Sequence, residues 1–582
     1  MSGDYKINNI YQGGYSSLNS SVEETPTKYR MSAGSFGLTT DPQTANVLQE
    51  VSSKLSTGVK QIEISAVSPE FFESIPNRDL KEINRLSKLT GVDISVHGPI
   101  VEASGMTKEG FNESGRIAAE RQMISAVERS HELNPDGNIP VTFHSSAILP
   151  GMIKQKDEKE VPETYIINPE SGQINKIPLK KRSFHGEGEM TVEKELEKIN
   201  EDGWNNQITN LGYATERANS FIQESGYLKH GADAEKRDKK ELSANEERAS
   251  QMYDIGENYL KDSYRKLKEL YETVNNHGTD EDRIALQNLN NRISRKVDEI
   301  NTIPDNGRKI VLMQEIIKDG LDTMTHKIKI PQIYESLDKF TKEKTIETFS
   351  NVAFKAYKKF GDKAPIISVE NPPVGQAFSR GKELKEIVEK SRKKFVEKAV
   401  KEGISESDAK LQAEKLLGVT WDVGHINMLR KHGYEDKDIV KETGEVAPLV
   451  KHVHLSDNFG FEHTELPMGM GNVPIKEIME KLGKKGFEAK KIIEAGSWWR
   501  HFKTPPVQET LEAFGSPIYS MKMAPYWNQS YGMRQGYFSG YGQMLPQTNY
   551  ETFGAGFSQL PAELGGQRYG AGGSRMSNRQ ME

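Results

Sequence analysis

Between residues 419 and 471 the chain carries three short stretches that restrict its fold more than any other part of it. Residues 419–425 read Val-Thr-Trp-Asp-Val-Gly-His, residues 450–458 read Val-Lys-His-Val-His-Leu-Ser-Asp-Asn, and residues 466–472 read Leu-Pro-Met-Gly-Met-Gly-Asn. The first two are β-rich runs whose C-terminal ends turn polar with Asp, His or both. The third is a Gly-rich loop. A (β/α)₈ barrel delivers the C-termini of eight parallel strands to one face, where ligating and catalytic groups collect. Apolar strands that end in ionisable side chains fit such a face, and the rest of the chain is expected to be organised around it.

The same pattern recurs along the chain. Residues 31–37 read as a first buried strand with a helix over 41–55, and residues 59–65 as a second strand with a helix over 77–90. Residues 92–99 make a third strand ending in His97, followed by a helical pattern over 108–133. Residues 139–145 make a fourth, ending in His144. After a long interruption come a helix near 331–359, the strand 365–371 with Glu370, and a Lys/Glu-rich helical region over 380–417. Strands at 419–422, 451–455 and 491–496 complete the count, the last with Glu494 near its end. Strands alternating with helices argue for a parallel sheet. Eight of them predict an α/β protein with a closed (β/α)₈ TIM barrel.

The interruption divides the chain. Residues 1–27 read as a flexible N-terminal arm, 28–150 as the first half of the barrel and 331–515 as the second. Residues 151–330 form an insertion after the fourth strand. It opens with a β-hairpin over 164–177, turned at Pro-Glu-Ser-Gly, and continues in charged helices near 190–222, 243–275 and 279–301. An insertion in a βα loop lies on the active face of a barrel, so this one is placed to wall the site. Residues 516–582 are rich in Gly, Tyr, Gln and Met and are expected to be disordered. Their aromatics and scattered Arg suit stacking on single-stranded nucleic acid, and self-association is the blander reading.

Composition excludes several classes. The chain has no cysteine, which removes disulfides and thiolate metal sites and leaves His, Asp and Glu as ligands. It contains no apolar run long enough to cross a membrane and begins without the plan of a signal peptide, so a cytoplasmic protein with no membrane partner is expected. The net charge of −6 gives no general argument for nucleic-acid binding, which would need a local basic surface such as Lys180, Lys181 and Arg182.

The chemistry rests on a convergence. His97, His144, Glu370, Asp422, His425, His454 and Glu494 fall at or near strand ends, with His463 and Glu465 on the loop after the seventh strand. Any one alone has a structural explanation as a hydrogen-bonding His or a rim salt bridge. Together on one face they would repel one another and desolvate badly unless a cation neutralised them. Zn²⁺ or Mn²⁺ accepts such mixed N and O ligands.

Over about 30–150 and 345–505 the sequence resembles the xylose-isomerase-like barrel superfamily, which contains endonuclease IV and many sugar isomerases and epimerases. Glu370 in Val-Glu-Asn, Asp422 in Trp-Asp-Val-Gly-His, His454 in His-Leu-Ser-Asp and Glu494 in Ile-Glu-Ala match the four ligands common to both branches. His97 in His-Gly-Pro, His144 in Phe-His-Ser and His425 bring it closer to the endonuclease IV (AP endonuclease family 2) branch. That resemblance implies a zinc cluster of two or three ions, with His463 and Glu465 at the positions of the family's Asp-x-His pair, chemically swapped. It also implies Glu370 and Glu494 as catalytic groups, Asp457 and Asn371 as substrate contacts, and DNA containing abasic sites as the partner of a DNA-repair hydrolase. The first strand lacks the family's Ala-His-Val-Ser histidine, and Ile100 stands where a DNA-inserting aromatic is expected. The sugar branch implies instead one Mn²⁺ or Mg²⁺ and a small sugar substrate for an isomerase or epimerase. A barrel that has lost activity and serves as a scaffold is the third reading.

Overall fold

The computed structural model describes residues 33–42, 46–55, 57–151, 153–156, 163–179, 191–226, 244–303, 306–495, 498 and 505–514, with 573–574 and 579–580. The N-terminal arm, Lys180–Arg182 and all but two short pieces of the C-terminal tail lie outside these residues. The chain divides into two compact units, one holding residues up to Val161 with those from Thr341 onward, the other Pro162–Phe340.

The first unit is built on eight parallel strands that close into a barrel: β1 Phe36–Thr39, β2 Gln61–Ser65, β3 Asp93–His97, β4 Pro140–His144, β5 Ile366–Glu370, β6 Leu417–Asp422, β7 Val450–Leu455 and β8 Lys490–Ile493. They are neighbours in sequence order, and β8 pairs with β1 to shut the ring. Parallel strands covered by helices are buried on both faces and read as nearly unbroken apolar runs. β6 is buried from end to end. Helices pack outside by the amphipathic logic the sequence suggests. In α1, Asn77–Thr90, Leu80 and Ile83 are buried, and Gly91 ends the helix at φ 65, a conformation that costs glycine little.

Several boundaries differ from the sequence reading, each for a local reason. Residues 33–35 form a 3₁₀ turn and β1 starts at Phe36, because its pairing with Lys491 on one side begins there. The helix expected over 108–133 runs Glu113–Leu133. Asn112 caps it by accepting from the Ser114 amide, and a small antiparallel pair, Met106–Thr107 with Gly110–Phe111, precedes it. The region 380–417 is two helices, Gly381–Lys401 and Glu406–Leu416, parted where Gly403 takes φ 90 and Ser405 caps the second.

Trp421 is the largest fully buried side chain of the barrel unit, and its Nε1 donates to Thr443 Oγ1 at 3.1 Å. Trp421→Ala is expected to destabilise the fold by about 3–5 kcal/mol, read as a lowered midpoint in urea denaturation.

The second unit has its own core. The hairpin Glu163–Ile167 with Ile174–Pro178 turns through Asn168, whose Oδ1 accepts from the amides of Glu170 and Ser171. Long helices Val192–Ser225, Ala244–His277, Asp280–Thr302 and Asn306–His326 pack around Trp204, Leu211, Ile222, Leu260, Leu289 and Ile316. The last of the four is an addition to the sequence reading.

Candidate metal centre

Strand register brings the ionisable ends together. Glu370 closes β5 directly opposite His144 on β4, and Asp422 closes β6 opposite His454 on β7. His97 closes β3, and Glu494 follows β8, where its amide donates to Leu455 O. Just past β6, the Asp422 carboxylate caps a short helix by accepting from the His425 amide at 2.7 Å. That helix sits tightly against the end of β7: a Cβ on Gly424 would lie 2.1 Å from Ser456 Oγ, so the Asp-Val-Gly-His turn needs glycine at this place.

The groups form two overlapping clusters that share the Glu370 carboxylate, and His97 also lies within reach of His454 and Glu494. Glu370, Asp422, His454 and Glu494 offer one ligand atom each, all within 4.8 Å of one another, and so do His97, His144 and Glu370. Glu370 divides its oxygens between them. Oε1 lies 2.7 Å from His454 Nδ1, while Oε2 lies 3.2 Å from His97 Nε2 and 3.3 Å from His144 Nε2. Glu494 Oε1 approaches the same His454 Nδ1 at 3.2 Å. A third position is sketched by His425 and His463, whose Nε2 atoms stand 2.8 Å apart. Glu465 is exposed on the same loop, and its charge acts on Glu494.

Tautomers show what this arrangement wants. His97 Nδ1 faces Gly98 O at 3.0 Å and His425 Nδ1 faces Asn371 O at 2.8 Å. A carbonyl only accepts, so each Nδ1 carries the hydrogen and each neutral ring turns a bare Nε2 into the cluster. His97 Nε2 then meets a carboxylate oxygen, lone pair against lone pair. Glu370 Oε2 and Asp422 Oδ2 are fully buried atoms without a hydrogen-bond partner. Buried acceptors left in that condition are costly, and a cation between them removes the cost.

In the metal-free protein protons take that place. Burial would lower the His454 pKa, but the Glu494, Glu370 and Glu63 carboxylates raise it well above the ordinary imidazole value. Burial, joined by Glu370, Asp422 and Glu465, raises the Glu494 carboxyl well above its usual range against the pull of His454. Burial works against ionisation of Glu370 too, yet His454 and His144 hold it well below that range. His425 is pushed down to about 4, chiefly by burial, and is neutral at physiological pH. The donor set of imidazoles and carboxylates fits a divalent ion of the Zn²⁺ or Mn²⁺ type.

Residues 405–515, which hold Asp422, His425, His454, His463, Glu465 and Glu494, match the family model of the xylose isomerase-like TIM barrel. That match lies in the second half of the closed eight-stranded barrel. A stretch of 80 residues is 32% identical to an uncharacterized protein of Methanocaldococcus jannaschii, covering 14% of this chain and 26% of that protein, about a quarter of the relative's length. Among solved structures it is similar to a D-tagatose 3-epimerase-like protein (13% identity, TM-score 0.37, 84% of this chain and 99% of that one). It is also similar to a 3-keto-D-glucoside 4-epimerase from E. coli (10%, TM-score 0.35, 84% and 99%) and a D-psicose 3-epimerase crystallised with D-fructose (8%, TM-score 0.36, 84% and 98%). Likenesses of this size carry no argument about activity.

Within this barrel, two residues expected to contact substrate also bond the main chain. Both amide atoms of Asn371 bond the Asp422 backbone, at 3.0 and 2.9 Å. The Asp457 carboxylate accepts from the amides of Asn458, Gly469 and Val473 and so holds the Gly-Met-Gly loop. A Cβ on Gly471 would stand 2.3 Å from Asp457 Oδ1, which is why that loop is glycine-rich. Two buried groups that the sequence reading passed over, Glu63 and His452, lie directly behind His454. Their signal was present: in β2 the pair Ile62 and Ile64 alternates with Glu63, which places a carboxylate on the barrel's inner face. No helix among the described residues is long and apolar enough to cross a membrane.

Proposed function

We propose that this protein is a metal-dependent phosphodiesterase of the endonuclease IV type that cleaves DNA at abasic sites. The observation that carries the reading is the divided Glu370 carboxylate, with one oxygen on the His97–His144 side and the other on the His454 side. A carboxylate placed so would help to hold two ions, and paired ions would supply the charge that in-line displacement at phosphorus needs. Zn²⁺ ions bound there, two or three of them, would supply positive charge to the phosphate and acidify the attacking water. The chain's own residues set the geometry. Glu370 joins the two halves, His97 and His144 hold the outer one, and Asp422, His454 and Glu494 hold the inner one. His425 and His463 face each other at the third position.

A single-metal sugar isomerase or epimerase is the second reading. It is favoured by the completeness of the Glu370, Asp422, His454 and Glu494 group, which could hold one Mn²⁺ or Mg²⁺ unaided. Glu370 and Glu494 would then exchange a proton at the carbon beside a carbonyl.

Metal content by plasma emission, with incision of an abasic-site duplex, separates the two. The phosphodiesterase reading expects at least two zincs per chain and cutting of the duplex. His144→Ala is expected to lose one ion and to slow cutting at least about a hundredfold, since a lost ion removes several kcal/mol of transition-state stabilisation. Full metal content in His144→Ala, or a single exchangeable Mn²⁺ with no cutting, transfers the assignment to sugar chemistry.

A further inference from the structure

Barrels of this kind fill their interior with branched apolar side chains. Here the layer beneath the metal centre is polar: Glu63, Ser95, Thr142, Ser368, Thr420 and His452 are all buried on the strands below the ligating ends. Thr142, Thr420 and Ser368 satisfy one another as a chain of hydroxyls at 2.9 and 2.7 Å. Glu63 is different, because a carboxylate in the middle of a barrel is costly unless its charge is used.

Its two oxygens have separate surroundings. Oε2 accepts from Ser95 Oγ at 3.1 Å and from His452 Nε2 at 2.9 Å, which fixes the carboxylate. Oε1 lies 3.2 Å from His454 Nε2; these two buried atoms face each other at that distance, and neither has a hydrogen-bond partner. The opposite nitrogen of the same ring, Nδ1, is the one turned to Glu370 and Glu494. An imidazole ligates a metal through one nitrogen while the other donates to a carboxylate, which fixes the tautomer and strengthens the donor.

We propose that Glu63 is the positioning residue of the metal centre. It receives the Nε2–H of His454 and so presents a bare Nδ1 to a divalent cation shared with Glu370, Asp422 and Glu494. His452 and Ser95 anchor it from behind. This rests on the reading that the four-residue group binds a metal, and it holds for either the phosphodiesterase or the isomerase.

Co²⁺ is the probe, with affinity measured by chelator competition and ligand field by visible absorption on the full chain. Glu63→Gln keeps the size of the side chain and removes its charge. It is expected to weaken Co²⁺ binding by about 10–100-fold and to shift the absorption bands, because the His454 donor becomes weaker. Ser95→Ala, which deletes one hydroxyl, is expected to weaken binding roughly threefold as the Glu63 anchor loosens. A structural role alone would lower the unfolding temperature and leave the bands of the folded protein in place. Wild-type affinity and bands in Glu63→Gln overturn the assignment, as does wild-type affinity in Ser95→Ala if Glu63→Gln fails to fold. A wild-type protein that binds no Co²⁺ overturns the metal reading and this assignment with it, whereas a wild type that binds beside an unaffected Glu63→Gln removes only the role of Glu63.

Discussion

Glu370→Gln is expected to lose most of the bound metal and at least about a thousandfold in turnover, several kcal/mol of transition-state stabilisation. The amide has the size and shape of the carboxylate, so β5 keeps its register with β4 and β6 and the barrel folds. What changes is charge and donor count on both sides at once. Oε1 serves the His454 side and Oε2 the His97–His144 side, so one substitution removes a ligand from each cluster. An amide also brings N–H hydrogens, and one of them must point at a bare imidazole nitrogen or at the neighbouring carboxylates. Glu494→Gln is the informative contrast. Glu494 belongs to the four-residue group and not to the His97, His144 and Glu370 group. It should therefore lower occupancy of the inner position more than that of the outer one, which Glu494 reaches only through its group with His97 and His454. Plasma emission on the two variants, with circular dichroism to show folding, checks this. Equal metal loss in both would mean that the clusters are one site, and full metal in Glu370→Gln would remove Glu370 from the centre.

The residues legible from sequence are those that end strands. His97, His144, Glu370 and Asp422 are terminal residues of β3, β4, β5 and β6, and an ionisable side chain at the end of an apolar run stands out against its neighbours. Convergence on one face follows from parallel pairing, so the barrel and the cluster could be inferred together. Glu63 and His452 escaped because they lie inside strands, where a single polar residue reads as an interruption. Only cross-barrel packing shows that they meet the back of His454. The backbone roles of Asp457 and Asn371 were hidden for a related reason. A carboxylate or amide beside a site looks available in sequence, whereas here both also bond backbone amides or carbonyls. Hydrogen bonds to the main chain leave no trace in residue identity. The start of β1 was displaced because Ala33–Ser35 satisfy a strand pattern yet have no partner strand at that level of the barrel.

Metal is expected to raise the unfolding temperature, and the increment is expected to grow as pH rises from about 6 to 8. In the chelated protein, His454 and Glu494 have folded pKa values raised well above their ordinary ones. A raised pKa gives stability that is complete below the unfolded value and lost as pH climbs through the folded one, since the native state holds protons the unfolded state has released. Glu370 and Glu63 have depressed values and lose their contribution only in acid, below this window. His425, at about 4, is already deprotonated in the folded state and adds no proton to be displaced. Lys491, lowered to about 8 by burial, bonds Gly486 O and Ala489 O before β8 and enters both arms of the comparison equally. A divalent ion takes the place of the protons on His454 and Glu494, so the loaded protein escapes the loss that the chelated protein suffers. At a thousandfold excess of free Zn²⁺ over its Kd the stabilisation is about 4 kcal/mol, roughly 5–10 °C for a barrel of this size. Scanning calorimetry with Zn²⁺ and with chelator at several pH values reads the increment directly. An increment that stays flat or shrinks toward pH 8 would mean that the ion does not displace protons from His454 and Glu494, and the inner position would have to be built from other groups.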